Sequence, residues 1–86
     1  MKNREEELFI ILQEEASEVV QAVSKRFRFG NTESNRKDVE QEIGDFIGVL
    51  KVLSEEGYLD SDKLFKAAEK KLKKLDTYMT NKRKLK

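Results

Sequence analysis

An 86-residue chain that is 41% charged, with a formal net charge of only +1 and no proline, cysteine or histidine, has room for one domain. It has no means of building a disulfide scaffold, a thiolate zinc site, an imidazole ligand set or a histidine general base. No apolar run approaches the roughly 18 residues of a membrane span, and residues 1–7 are too acidic for a signal peptide, so a cytoplasmic protein with no membrane partner is expected.

Helical period runs almost unbroken from about Arg4 to Phe29, with Leu8, Ile11, Leu12, Val19, Ala22 and Val23 as its apolar positions and Gly30 as a natural stop. Residues 31–35 are polar and read as a connecting loop, with Ser34 or Asn35 available as an N-cap. A second helix is predicted from about Arg36 to Glu56, ending at Gly57. Asp60 or Ser61 can then cap a third helix carrying Leu64, Ala68, Leu72, Leu75 and Met79. The basic tail, residues 81–86, is expected to fray. The fold class is therefore all-α: one domain over residues 1–86, three helices forming a helical bundle. Phe9, Ala16, Val20 and Phe27 make a second apolar strip on the first helix, roughly 100° from the first. Three helices of one chain cannot comfortably cover so wide an arc, so a homodimer or homotetramer is expected to complete the bundle. The Gly44-x-x-x-Gly48 pair would let another helix approach closely.

Charge is unevenly spread. Residues 1–60 carry 14 acidic and 8 basic side chains, whereas residues 61–86 carry 3 acidic and 10 basic ones. The acidic part can gather cations and the basic part can meet anions, although most such charges on helices are simply solvated.

Some of the acids stand where core residues belong. At about 100° per residue, Leu8, Leu12, Val19 and Ala22 fall within a stripe roughly 80° wide that also contains Glu15, with Glu18 at its edge near Ile11. On the second helix Val39, Ile43, Phe46, Leu50 and Leu53 form the stripe. Glu42 lies between Leu53 and Val49, and Asp45 sits at the edge beside Asp38. Four carboxylates directed inward are untenable unless cations neutralise them. An all-oxygen donor set favours magnesium, with manganese possible, over zinc. A lone Glu-x-x-Glu in a chain with 17 acids would mean little. Two acidic pairs, each rotated toward the core side, mean considerably more.

On the third helix Lys71 falls among Leu64, Ala68, Leu75 and Tyr78, and Lys74 follows one turn later. Lys71 either holds a phosphate as a point charge or lays its stem over the core and exposes its amine.

At these residues the chain resembles the all-α MazG-like nucleoside triphosphate pyrophosphohydrolases. The resemblance rests on Glu14-Glu15-Ala16-Ser17-Glu18-Val19-Val20, on Glu40-Gln41-Glu42-Ile43-Gly44-Asp45-Phe46-Ile47, and more weakly on Ala68-Glu69-Lys70-Lys71-Leu72-Lys73-Lys74. It covers roughly residues 8–80 and is nearest to compact, often phage-borne, versions. The resemblance implies hydrolysis of a nucleoside or deoxynucleoside triphosphate to the monophosphate and pyrophosphate. It implies Glu15, Glu18, Glu42 and Asp45 as metal ligands, with Lys71 and Lys74 contacting the substrate's phosphates. A neighbouring carboxylate, Glu14 or Asp38, could orient the attacking water or take its proton. Phe46, Phe27 and Tyr78 are candidates to stack on the base, although aromatic residues at helical spacing more often belong to the core.

Three other readings compete. Phosphoribosyl-ATP pyrophosphohydrolases share the acidic motifs but usually carry a histidine after the second one, where this chain has Gly48-Val49-Leu50. A non-catalytic helical oligomer could use its acids to bind structural cations. Nucleic-acid binding through Lys82, Arg83, Lys84 and Lys86 is not expected, because a short basic tail is usually only solvated.

Overall fold

A computed structural model describes residues 3–81, and all of the regular structure among them is helical: α1 (Arg4–Phe29), α2 (Glu33–Glu55) and α3 (Ser61–Tyr78). Each helix begins at a side-chain cap. Asn3 opens α1 by accepting a hydrogen bond from the Glu6 N–H at 2.9 Å. Glu5, Glu6 and Glu7 in the first turn and Arg26 and Arg28 in the last complement the helix dipole. The helix stops at Gly30, whose φ of 103° belongs to a region that side chains disfavour.

The connection to α2 is tighter than the sequence suggests. The expected loop through Asn35 shrinks to Gly30–Thr32, and α2 starts at Glu33 instead of near Arg36. The reason is a change of cap: Thr32 Oγ1 accepts from the Asn35 N–H at 3.1 Å, while the Asn35 side chain donates to the Gly30 carbonyl at 2.8 Å. Ser34 and Asn35 therefore lie inside the helix. Arg26 Nε donates to Asn31 Oδ1 and Arg36 Nη1 to the Asn31 carbonyl, which ties both helices to the same loop residue.

So short a turn makes α1 and α2 antiparallel neighbours. At the far end Arg4 Nε and Nη2 donate to the two carboxylate oxygens of Glu56 at 2.5 and 2.6 Å, joining the start of α1 to the end of α2. The seam between these helices holds the apolar interior. Leu53 is fully buried and Ala22 nearly so, and Leu8, Ile11, Leu12, Val19, Val39, Phe46, Val49 and Leu50 are half-buried along the seam. Leu53 lies under the α2 terminus, where its carbonyl accepts from the N–H groups of both Tyr58 and Leu59. Gly57, at φ 82°, allows the chain to turn there.

Asp60 caps α3 by accepting from the N–H groups of Asp62 and Lys63. That helix projects rather than packs. Every residue of α3 except Asp76 is exposed, including Phe65 at 70% and Leu72 at 51%. The Cα radius of gyration is 15.8 Å, against about 12 Å for a compact chain of this length. Among the described residues no helix is long and apolar enough to cross a membrane. Lys82, Arg83, Lys84 and Lys86 lie outside the described residues.

Candidate metal centre

Residues three apart on a helix share a face, so α1 offers Glu15 with Glu18 and α2 offers Glu42 with Asp45. The antiparallel seam brings three of the four together. One carboxylate oxygen from each of Glu15, Glu18 and Glu42 lies within 4.8 Å of the other two. Glu15 and Glu42 are half-buried in the seam, and Glu18 is exposed at its mouth. Asp45 is exposed at the margin and accepts a hydrogen bond from Gln41 Nε2 at 3.0 Å. It is outside the tight triplet but near enough for its charge to act on both Glu15 and Glu42.

The electrostatics of this cluster are one-sided. Glu15 Oε2 and Glu42 Oε2 are buried and find no hydrogen-bond donor among the described residues. Burial raises the Glu15 carboxyl above its ordinary pKa, and the charges of Glu18, Asp45 and Glu14 push it further in the same direction. Glu42 is raised first by hydrogen-bonding contact with the Glu18 carboxyl, then by burial and by the charges of Glu18, Asp45 and Glu15. Two carboxyls can share a hydrogen bond only while one of them holds a proton.

Orphaned acceptor oxygens of this kind need a proton or a cation. Converging carboxylates on facing helices are a familiar way of holding a metal within a bundle. The donors are all hard oxygens, which suits a hard divalent cation.

Beside the triplet opens a cleft of about 340 Å³ lined by Glu18, Gln21, Ala22, Lys25, Asp38 and Glu42. Asp38 therefore faces the cleft. Glu14 is exposed next to Glu15 and does not line it. Lys71 and Lys74 are exposed on α3, and no residue of α3 lines the cleft, so a single chain does not bring these lysines to the acids. Phe46 is half-buried in the seam, whereas Phe27 and Tyr78 are each 76% exposed.

Gln21 and Lys25 are the cleft residues that sequence reasoning passes over. Their signal was position. Lys25 is seven residues beyond Glu18 and about 20° from the same helix face, but a lysine at such a place is ordinarily read as solvated.

A family model for the MazG nucleotide pyrophosphohydrolase domain matches residues 3–79. No curated protein and no solved structure is matched by the chain. With all three helices and both acidic pairs inside the matched span, the chain belongs to the MazG nucleotide pyrophosphohydrolase domain family.

Proposed function

We propose that the protein is a magnesium-dependent pyrophosphohydrolase that cleaves a nucleoside or deoxynucleoside triphosphate to the monophosphate and pyrophosphate. The observation that carries this reading is the Glu15, Glu18 and Glu42 triplet, with two buried oxygens that no donor among the described residues satisfies. Glu15, Glu18 and Glu42 would hold the ion from the seam and Asp45 from its margin, with manganese as an alternative metal. When bound, such a cation neutralises charge on phosphate oxygens and lowers the pKa of an adjacent water.

The chain's own residues supply the rest. Asp38, on the cleft wall, is better placed than Glu14 to orient the attacking water and accept its proton. Glu15 and Glu42 are half-buried in a seam where Ala22 is buried and Val19, Val39 and Phe46 are half-buried, surroundings that favour fixed positions for ligand carboxylates. In a single chain α3 stands apart from the cleft, so a phosphate contact from Lys71 or Lys74 requires α3 of a second copy, or α3 moved over the cleft. A homo-oligomer is part of the proposal for that reason, and because Val20, Phe27, Phe65 and Leu72 are too exposed for an isolated chain.

The test is product analysis with each of the common ribo- and deoxyribonucleoside triphosphates, with magnesium and with EDTA. Monophosphate and pyrophosphate should appear in equal amounts from at least one of them, and EDTA should stop their release. Release of orthophosphate, or no magnesium-dependent release from any triphosphate, would overturn the proposal.

A further inference from the structure

We infer that Lys25 positions the substrate's phosphate chain at the mouth of the cleft, an inference that rests on the pyrophosphohydrolase reading above. Lys25 supplies the only cationic side chain among the residues lining the cleft, where it stands with Glu18, Asp38 and Glu42. Despite that company, its ammonium makes no ion pair or hydrogen bond among the described residues. A lysine present to balance the acids would be seated on one of them.

The charge balance supplies the reason. A divalent ion taken up by Glu15, Glu18 and Glu42 offsets two of their three negative charges, and of the other two charged groups lining the cleft, Asp38 and Lys25, the Lys25 ammonium is the one that can attract a phosphate. A small, strongly hydrated point charge of this kind is suited to a phosphate oxygen.

The neighbouring surface adds a direction. A second hollow, lined by Val20, Gln21, Ser24, Lys25, Phe27 and Arg28, shares Gln21 and Lys25 with the acidic cleft. Lys25 thus stands on the ridge between an acidic hollow fit for a metal and its phosphates and a basic, partly apolar one leading toward Arg28. A phosphate chain held at the acidic end passes Lys25 as it leaves.

The experiment uses inorganic tripolyphosphate, which carries the phosphates without any base. Its binding is followed by calorimetry at fixed magnesium for the wild-type chain, Lys25→Gln and Lys25→Arg, and magnesium affinity is measured separately without tripolyphosphate. Loss of one charge-assisted contact should weaken tripolyphosphate binding by at least about tenfold in Lys25→Gln. Lys25→Arg should stay within about threefold, because the charge is kept. Magnesium affinity alone should be unchanged or tighter in Lys25→Gln, since a nearby positive charge has gone, and a merely structural role would not produce this split. The triphosphate KM should rise with the tripolyphosphate constant. Equal tripolyphosphate binding by wild type and Lys25→Gln would overturn the inference while leaving the pyrophosphohydrolase reading intact. A wild-type chain that binds no tripolyphosphate in magnesium would overturn both.

Discussion

A carboxylate in a helix seam is costly unless something positive faces it, and the charged groups acting on Glu15 and Glu42 are all acids: Glu14, Glu18 and Asp45. This has a consequence for stability against pH. Both groups have raised pKa values in the folded chain, so the folded state keeps protons that the unfolded chain has already lost. Their stabilising contribution is full below the ordinary carboxylate value of 4.5 and is lost as pH rises through the raised folded values. Glu56 behaves oppositely: Arg4 holds its pKa down, so its contribution is lost only as pH falls below the ordinary value. The metal-free protein should therefore melt at a higher temperature near about pH 5 than near about pH 8. Magnesium should raise the melting temperature at the higher pH by binding the folded state. A metal-free melting temperature that rises between those two values would count against the cluster. At this scale the acids were legible because rotation about the helix axis put Glu15 and Glu42 on apolar stripes. The same logic put Lys71 on an apolar stripe. Leu64 and Ala68 of its stripe border an open hollow shared with Ile47 and Leu50 of α2, Leu75 and Tyr78 are exposed, and Lys71 itself is exposed.

The turn between α1 and α2 sets the register that places Glu42 opposite Glu15 and Glu18. Gly30 is the residue on which it depends, with φ 103° and ψ 165°, a region essentially restricted to glycine. A Cβ added there would meet nothing within 4 Å, so the penalty for a side chain comes from the backbone alone. Gly30→Ala should destabilise the chain by about 1–3 kcal/mol, read from urea unfolding followed by circular dichroism. A change indistinguishable from zero would contradict this role for the turn. The existence of three helices, the glycine stops and the Asp60 cap could be read from period and punctuation. The start of α2 could not. Thr32, Ser34 and Asn35 can all cap, and the choice among them depends on the Asn35 side chain reaching back to the Gly30 carbonyl, a contact invisible until the helices are antiparallel.

At the scale of the whole molecule, two helices pack and one does not, an arrangement that leaves much apolar surface in water. On α2, Ile43 and Ile47 are 40% and 46% exposed, and a Cβ at Gly44 or Gly48 would meet nothing within 4 Å. In an isolated chain Gly48→Leu should be harmless or stabilise α2 by roughly 0.5–1 kcal/mol, because glycine is a poor helix former. If a second copy packs its helix there, the leucine fills the space that the partner needs. Sedimentation at micromolar concentration should show the wild type as a dimer or larger and Gly48→Leu as a smaller species of equal helicity. An unchanged assembly would move the interface off this face, and a wild-type monomer would remove it altogether. Sequence raised the expectation of a partner through the second apolar strip on α1, of which Val20 and Phe27 are exposed. It could not say that α3 would stand free, because every apolar residue of α3 looks the same whether it awaits its own chain or another.

Titration of manganese into the wild-type protein and Glu42→Gln, followed by electron paramagnetic resonance, tests whether Glu15, Glu18 and Glu42 form a divalent-cation site. The wild type should bind the ion. Glu42→Gln should lose at least about a hundredfold in affinity, beyond the loss typical of removing a group that only orients a ligand, while its metal-free melting temperature holds or rises because a repelled, half-buried carboxylate has been neutralised. Manganese binding by Glu42→Gln equal to that of the wild type would rule this site out.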